Sequence, residues 1–291
     1  MTQEASKLAA ESVLKIPPII VLFGKILQFF SLRLAAKFAA RLFVAPVKFK
    51  IPKREKKMDT VSNQTFYTLP RNKKQICVYE YGIATKKVLL VHGWSGRGTQ
   101  LVKIAEKLVD KGYQTISFDA PAHGKAKGKS TDLIEFIEAV HFLNNNYGPF
   151  EAAVGHSLGG MTLLNAISQG LKLKSLVIIG SGDIITDIMD GFIEKLGLKP
   201  EILPLMQHLF ERNTNEGMNS YSASIAAAHV DLPVLIIHDE DDMEVPVKCA
   251  YHIHSKLKNA EIYITSGLGH RKILGNGTVV DKTLNHIQIQ T

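Results

Sequence analysis

The stretch Glu151-Ala-Ala-Val-Gly155-His-Ser157-Leu-Gly-Gly160-Met161 decides how the rest of this 291-residue chain is read. Glu151 to Val154 is a short, mostly apolar run suited to a buried strand. From Met161 to Gln169 apolar residues recur at helical spacing. Only a tight turn fits between the two. A strand that passes so abruptly into a helix forces its central residue, Ser157, into strained backbone geometry. The flanking glycines let the turn lie close against its neighbours. A Gly-x-Ser-x-Gly match alone is weak, since chance supplies it in about one chain of this length in ten. The strand before it and the helix after it give it weight. They put the Ser157 hydroxyl at the carboxyl edge of a sheet.

The same alternation runs outward in both directions. Val88 to Val91, Gln114 to Phe118, Lys174 to Ile179, Val234 to Ile237 and Glu261 to Thr265 read as strands. Thr65 to Leu69 and Gln75 to Tyr81 read as a hairpin. Leu101 to Lys111, Thr131 to Asn145 (capped by Ser130 or Thr131), Val247 to Leu257 and Gly277 to Ile287 read as helices. Short connections between strands and helices predict an α/β fold with a mostly parallel central sheet covered on both faces. Residues 183–229 break the rhythm and predict a small helical cap inserted above the sheet. Met189, Phe192, Leu196, Met206, Leu209 and Phe210 within it would suit an apolar pocket. The expected organisation is an arm over residues 1–60 and one domain over 61–291.

Composition narrows the function classes. Two cysteines, Cys77 and Cys249, make no disulfide framework, so a reducing, cytoplasmic compartment is expected. CxxC, HExxH and dinucleotide fingerprints are absent from the sequence, so neither a metal nor a cofactor is expected. The net charge of +8 is concentrated near one end. Lys15 to Lys57 holds eleven Lys and Arg against Glu55 alone, whereas Met58 to Thr291 holds 23 bases against 24 acids. A neutral body argues against nucleic acid as a partner. Lys25, Arg33, Lys37 and Arg41 recur at multiples of four among Leu, Phe and Ala, which predicts an amphipathic helix. Its charge-free stretches fall short of the roughly 18 residues that span a bilayer. Glu4 and Glu11 do not suit a signal peptide. The arm therefore packs on the body or on a second subunit, or else residues 16–57 lie on the inner face of an anionic membrane. Lys53 to Lys57 reads as a solvated linker, and oligomeric state is left open.

A serine hydroxyl becomes a useful nucleophile when a base takes its proton, and histidine has the fitting pKa. Of eleven histidines, His270 follows the strand Glu261 to Thr265 and lies at the same sheet edge as Ser157. An acid must then hold the imidazole. The loop His238-Asp-Glu-Asp-Asp242 after another strand offers Asp242, with Asp241 and Asp239 as alternatives. Asp183, after the strand Lys174 to Ile179, is a further one. The backbone N–H of Leu158, and that of Trp94 in the loop His92-Gly-Trp94-Ser-Gly96, would face the developing oxyanion.

These motifs, with Asp119-Ala-Pro-Ala-His-Gly124 and Gly267-Leu-Gly-His270, resemble the α/β-hydrolase-fold serine hydrolases, in particular the compact bacterial type with a short cap. The resemblance covers roughly residues 65–291 and leaves the first 60 aside. It implies a Ser157–His270–Asp242 triad, an acyl-enzyme on Ser157, and a small acyl ester or thioester as substrate. Asp239 stands where many relatives have glycine. A membrane-surface lipase and a ligand-binding member without catalysis are the alternatives. Gly124-Lys-Ala-Lys-Gly128-Lys-Ser130 ends in Gly-Lys-Ser but has the wrong spacing for a phosphate loop, so its lysines read as a solvated rim with some attraction for anionic substrates.

Overall fold

The structure, a computed structural model, describes residues 16–212 and 216–290. The expectations resting on Glu4 and Glu11 fall outside those residues. The strands are β1 (Asn63–Thr68), β2 (Gln75–Tyr81), β3 (Lys87–Val91), β4 (Gln114–Asp119), β5 (Ala152–His156), β6 (Ser175–Ile179), β7 (Val234–Asp239) and β8 (Ala260–Thr265). They form one sheet in the order β1-β2-β4-β3-β5-β6-β7-β8. The β1–β2 and β2–β4 pairings are antiparallel and all others parallel.

Helices before the sheet's centre are α1 (Pro18–Phe30), α2 (Leu32–Phe43), α3 (Lys56–Val61), α4 (Val102–Asp110) and α5 (Leu133–Tyr147). Those after it are α6 (Leu158–Ser168), α7 (Ile185–Lys195), α8 (Ile202–Glu211), α9 (Ala223–Ala227), α10 (Lys248–His254), α11 (Gly269–Lys272) and α12 (Gly277–Gln290). Alternation along β3 sends Val88 and Leu90 toward a core shared with α4 and α12. Leu89 and Val91 point into the other core, with α5 and α6. Both faces are thus covered, as a parallel sheet requires.

Two boundaries differ from the sequence reading. Asp132, not Ser130 or Thr131, caps α5, its carboxylate accepting from Glu135 N at 2.9 Å. The helix after the decisive turn starts at Leu158 rather than Met161, because the turn consumes only Ser157.

The N-terminal pattern resolves into two helices. Ser31 is extended, and its hydroxyl accepts from Leu34 N, so it ends α1 and caps α2. Ala35, Ala36, Ala39 and Ala40 are the buried residues of α2, a small-residue face packed on α8. Arg33, Lys37 and Arg41 stay exposed. Beyond α2 the chain runs as a strap across the body. Thr131 N donates to Val44 O at 2.9 Å, Val47 N to Ser95 Oγ at 3.0 Å, and Lys48 Nζ to Ala126 O at 2.6 Å. The expected solvated linker is not solvated throughout: Glu55 is only 1% exposed, because Arg97 and Thr99 draw it inward. On α1, Ile19, Leu22, Phe23, Ile26, Phe29 and Phe30 are exposed. No helix among the described residues is long and apolar enough to cross a membrane.

Candidate active site

Ser157 sits between β5 and α6 with φ 53° and ψ −118°, a left-handed conformation that a side chain strains to adopt. The close approach is what demands glycine on either side. A Cβ on Gly155 would lie 2.5 Å from the Gly159 carbonyl, and one on Gly159 would strike the Val91 carbonyl of β3. The loop after β3 comes equally near, since a Cβ on Gly93 would stand 2.9 Å from that of Ser157.

His270 lies on α11, just after β8, and is buried. Its Nδ1 and Asp242 Oδ2 are 2.7 Å apart. The other Asp242 oxygen accepts from Glu244 N at 2.8 Å and Val245 N at 2.9 Å. Burial works against a charged Asp242, yet the His270 bond and these two amides outweigh it and hold the carboxyl below its ordinary range. An ionised Asp242 fixes the proton on His270 Nδ1 and leaves the lone pair on Nε2.

The other three aspartates are engaged elsewhere. Asp239 accepts from Asp241 N, Gly269 N, Leu268 N and Thr265 Oγ1 at 2.7–3.1 Å, and so braces the loop that carries His270. Asp241 accepts from Ser266 Oγ and Gly267 N. Asp183 accepts from Ser224 N and pairs with His252. Only Asp242 among the four bonds to His270.

Ser157, His156, His270 and Trp94 line one cavity of about 330 Å³. Among the described residues no hydrogen bond joins the Ser157 hydroxyl to His270, although both line the same cavity. The amides of Leu158 and Trp94 likewise donate to no acceptor among the described residues, whereas Gly93 N, Ser95 N and Gly96 N around Trp94 are all satisfied. Two uncommitted amides beside a strained serine can receive negative charge.

Four buried histidines serve as rigid neutral struts. Ala120 N donates to His92 Nε2, and the opposite nitrogen donates to Gly93 O. Ser95 N donates to His123 Nε2, while His123 Nδ1 donates to Pro121 O. His156 donates from Nε2 to the His270 carbonyl at 2.9 Å, with the two rings 4.6 Å apart. His238 donates to Val245 O. Burial pushes all four below the usual imidazole range, His123 to about 4 and His156 to about 3.

Sequence reasoning missed His156, whose partner is 114 positions away. It also missed the strap: Phe49, Lys50 and Glu55 line the cavity. Of the six apolar residues singled out in 183–229, only Phe192 lines it. Met189, Leu196 and Met206 are core residues, and Phe210 packs near Phe43. The lysine-rich loop is not on its wall; Lys125 pairs with Asp59 instead.

Residues 86–217 match the sequence profile of the alpha/beta hydrolase fold. An esterase of Pyrococcus furiosus superposes with a TM-score of 0.64 at 16% identity, covering 85% of this chain and 98% of that one. An esterase from Exiguobacterium antarcticum gives 0.60 at 17%, with 78% and 100% covered. A bromoperoxidase from Bacillus anthracis gives 0.59 at 16%, again with 78% and 100%. No protein of curated function matches the sequence. Proteins this distant share an architecture and differ in chemistry, so the likeness speaks for the fold. With its sheet order, its strained serine turn and its matched profile, the chain has the alpha/beta hydrolase fold.

Proposed function

We propose that this chain is a serine hydrolase that cleaves carboxylic esters or thioesters. The observation that carries the reading is the His270–Asp242 bond of 2.7 Å, which leaves His270 Nε2 free in the cavity that Ser157 lines. Ser157 Oγ bonds to the carbonyl carbon as its proton passes to His270 Nε2. The carbonyl electrons go to oxygen, where the Leu158 and Trp94 amides receive them. Collapse breaks the bond to the leaving alcohol or thiol, which takes the proton from His270. Water then adds to the acyl-enzyme, with His270 as base, and releases the acid and Ser157. Labelling with a fluorophosphonate, with Ser157→Ala as control and the adduct located by mass spectrometry, tests this. An adduct on Ser157 alone is expected, and ester turnover by purified Ser157→Ala protein would sink the assignment.

A second reading places the same chemistry at a membrane surface. It is favoured by α1, where Phe29 and Phe30 are 85% and 75% exposed beside a strongly basic segment. Flotation with anionic vesicles tests it on point variants, because removing the strap would dismantle the cavity. Loss of flotation in Phe29→Asp/Phe30→Asp is expected; undiminished flotation would leave α1 without that role.

A further inference from the structure

The cavity around Ser157 is lined by five bases, Lys50, Arg54, Arg97, Lys195 and Arg271, against the carboxylates of Glu55 and Glu244. Both carboxylates are already committed. Glu55 binds Arg97 at 3.1 Å and faces Arg54 at 3.4 Å. Glu244 binds Arg271 at 3.0 Å. Lys50 and Lys195 make no ion pair or side-chain hydrogen bond among the described residues. They come from separate elements, the strap and the end of α7. The same lining includes the apolar side chains of Phe49, Phe192 and Trp94. A recess with apolar walls and an excess of one charge concentrates counter-charge from solution. The basic residues of α2 do not do this, since none of them lines the cavity.

We propose that the cavity takes an acyl ester bearing a negative charge, carboxylate or phosphate, which Lys50 and Lys195 hold while the ester carbonyl lies at Ser157. The placing of the carbonyl rests on the hydrolase reading; the anion site does not. Carboxylate and phosphate carriers share this chemistry, and so do charges on either side of the scissile bond.

Three esters of matched acyl length separate these cases. Para-nitrophenyl pentanoate is neutral, the para-nitrophenyl monoester of glutaric acid is charged on the acyl side, and para-pentanoyloxybenzoate is charged on the leaving side. For the side that fits, the ratio of kcat/KM for charged over neutral ester falls about five- to tenfold in Lys50→Gln/Lys195→Gln. Lys50→Arg/Lys195→Arg keeps the ratio, and added salt lowers it in the parent protein. A glycerophosphate ester carried through the same comparison distinguishes a phosphate carrier from a carboxylate one. A ratio unchanged in the Gln variant, or one that falls equally in the Arg variant, overturns the proposal. Should no ester turn over, the hydrolase reading fails while the anion site stays testable. The same compounds are then titrated as ligands into the parent and the Gln variant by calorimetry. Tighter binding of a charged compound, lost in the Gln variant, supports the site; equal affinity for charged and neutral compounds overturns it.

Discussion

Glu55 and Arg97 form a buried ion pair at 3.1 Å across 42 positions of sequence, joining the strap to the loop that follows β3. Thr99 Oγ1 donates to the same Glu55 oxygen at 2.9 Å, and Arg97 reaches the Phe49 carbonyl at 3.1 Å. One buried carboxylate thereby sets the distance between the cavity's N-terminal wall and the loop carrying Trp94. Breaking one side of a buried pair costs about 3–5 kcal/mol, because the partner charge is stranded. Glu55→Gln and Arg97→Met should each lower stability by an amount in this range, measured by urea unfolding. The double variant should lose less than the sum. Strict additivity would show that the two side chains are energetically independent.

Asp239 and Asp242 lie three positions apart and should respond in opposite ways. Asp242→Asn keeps shape and removes the charge that supports His270, so kcat should drop by roughly 10⁴-fold with a small change in stability. Asp239→Ala leaves four donors unsatisfied around the His270 loop, and stability should fall by about 2–4 kcal/mol. Paired measurement of Tm and kcat separates them. A collapse of kcat at unchanged Tm in Asp239→Ala, with an active Asp242→Asn, would reverse the two roles.

Acid should weaken the fold from its histidines first. His92, His123, His156 and His238 are held neutral, with folded pKa values below that of the unfolded chain. As pH falls below about 6.5 the unfolded chain takes up these protons and the folded one does not. Stability is therefore fully present above that pH. It declines between about 6.5 and the folded values, which are about 4 for His123 and about 3 for His156. Each histidine contributes up to about 1.4 kcal/mol per pH unit. Asp242 adds a loss only at lower pH, because its carboxyl is held below the ordinary range. Tm should drop steadily from pH 7 to pH 5, and His123→Gln should make the decline shallower. A Tm flat over that interval would mean these rings are not neutral and buried in solution.

The strained turn has its own signature. At φ 53° and ψ −118° a glycine is at ease and an alanine is not. Ser157→Gly should be more stable than Ser157→Ala by about 1 kcal/mol, with both devoid of esterase activity. Equal Tm values for the two variants would mean that the turn relaxes when the hydroxyl is gone.

Much of this architecture is legible in the chain because strands and helices carry their own periods. Val88 to Val91, Ala152 to Val154 and Val234 to Ile237 are apolar without interruption, as strands covered on both faces must be. Ser157 directly follows such a strand, and Asp242 and His270 stand in the segments after β7 and β8, which is why the sequence alone singles out these three as candidates. What stayed hidden depends on contacts distant in sequence. Glu55 lies in a run of four bases that looks solvated, and nothing local tells that Arg97 will bury it. The helix break at Ser31 was equally obscured, since the spacing of Lys25, Arg33, Lys37 and Arg41 runs through it without a change of phase. Nothing local to His92, His123 and His156 tells that burial and hydrogen bonds to distant backbone make them struts.

The conformation of Ser157 also bears on descent. At that one position the most comfortable residue for folding and the residue able to attack a carbonyl are different, and a single codon change separates them. A lineage in which the hydroxyl ceased to matter would meet no folding barrier on the way to glycine, and a small gain on arrival. Serine at this site in distant copies of the chain is then a record of continued use, whereas the buried glycines beside it, fixed by collision with Val91 and Gly159, would persist in working and abandoned copies alike.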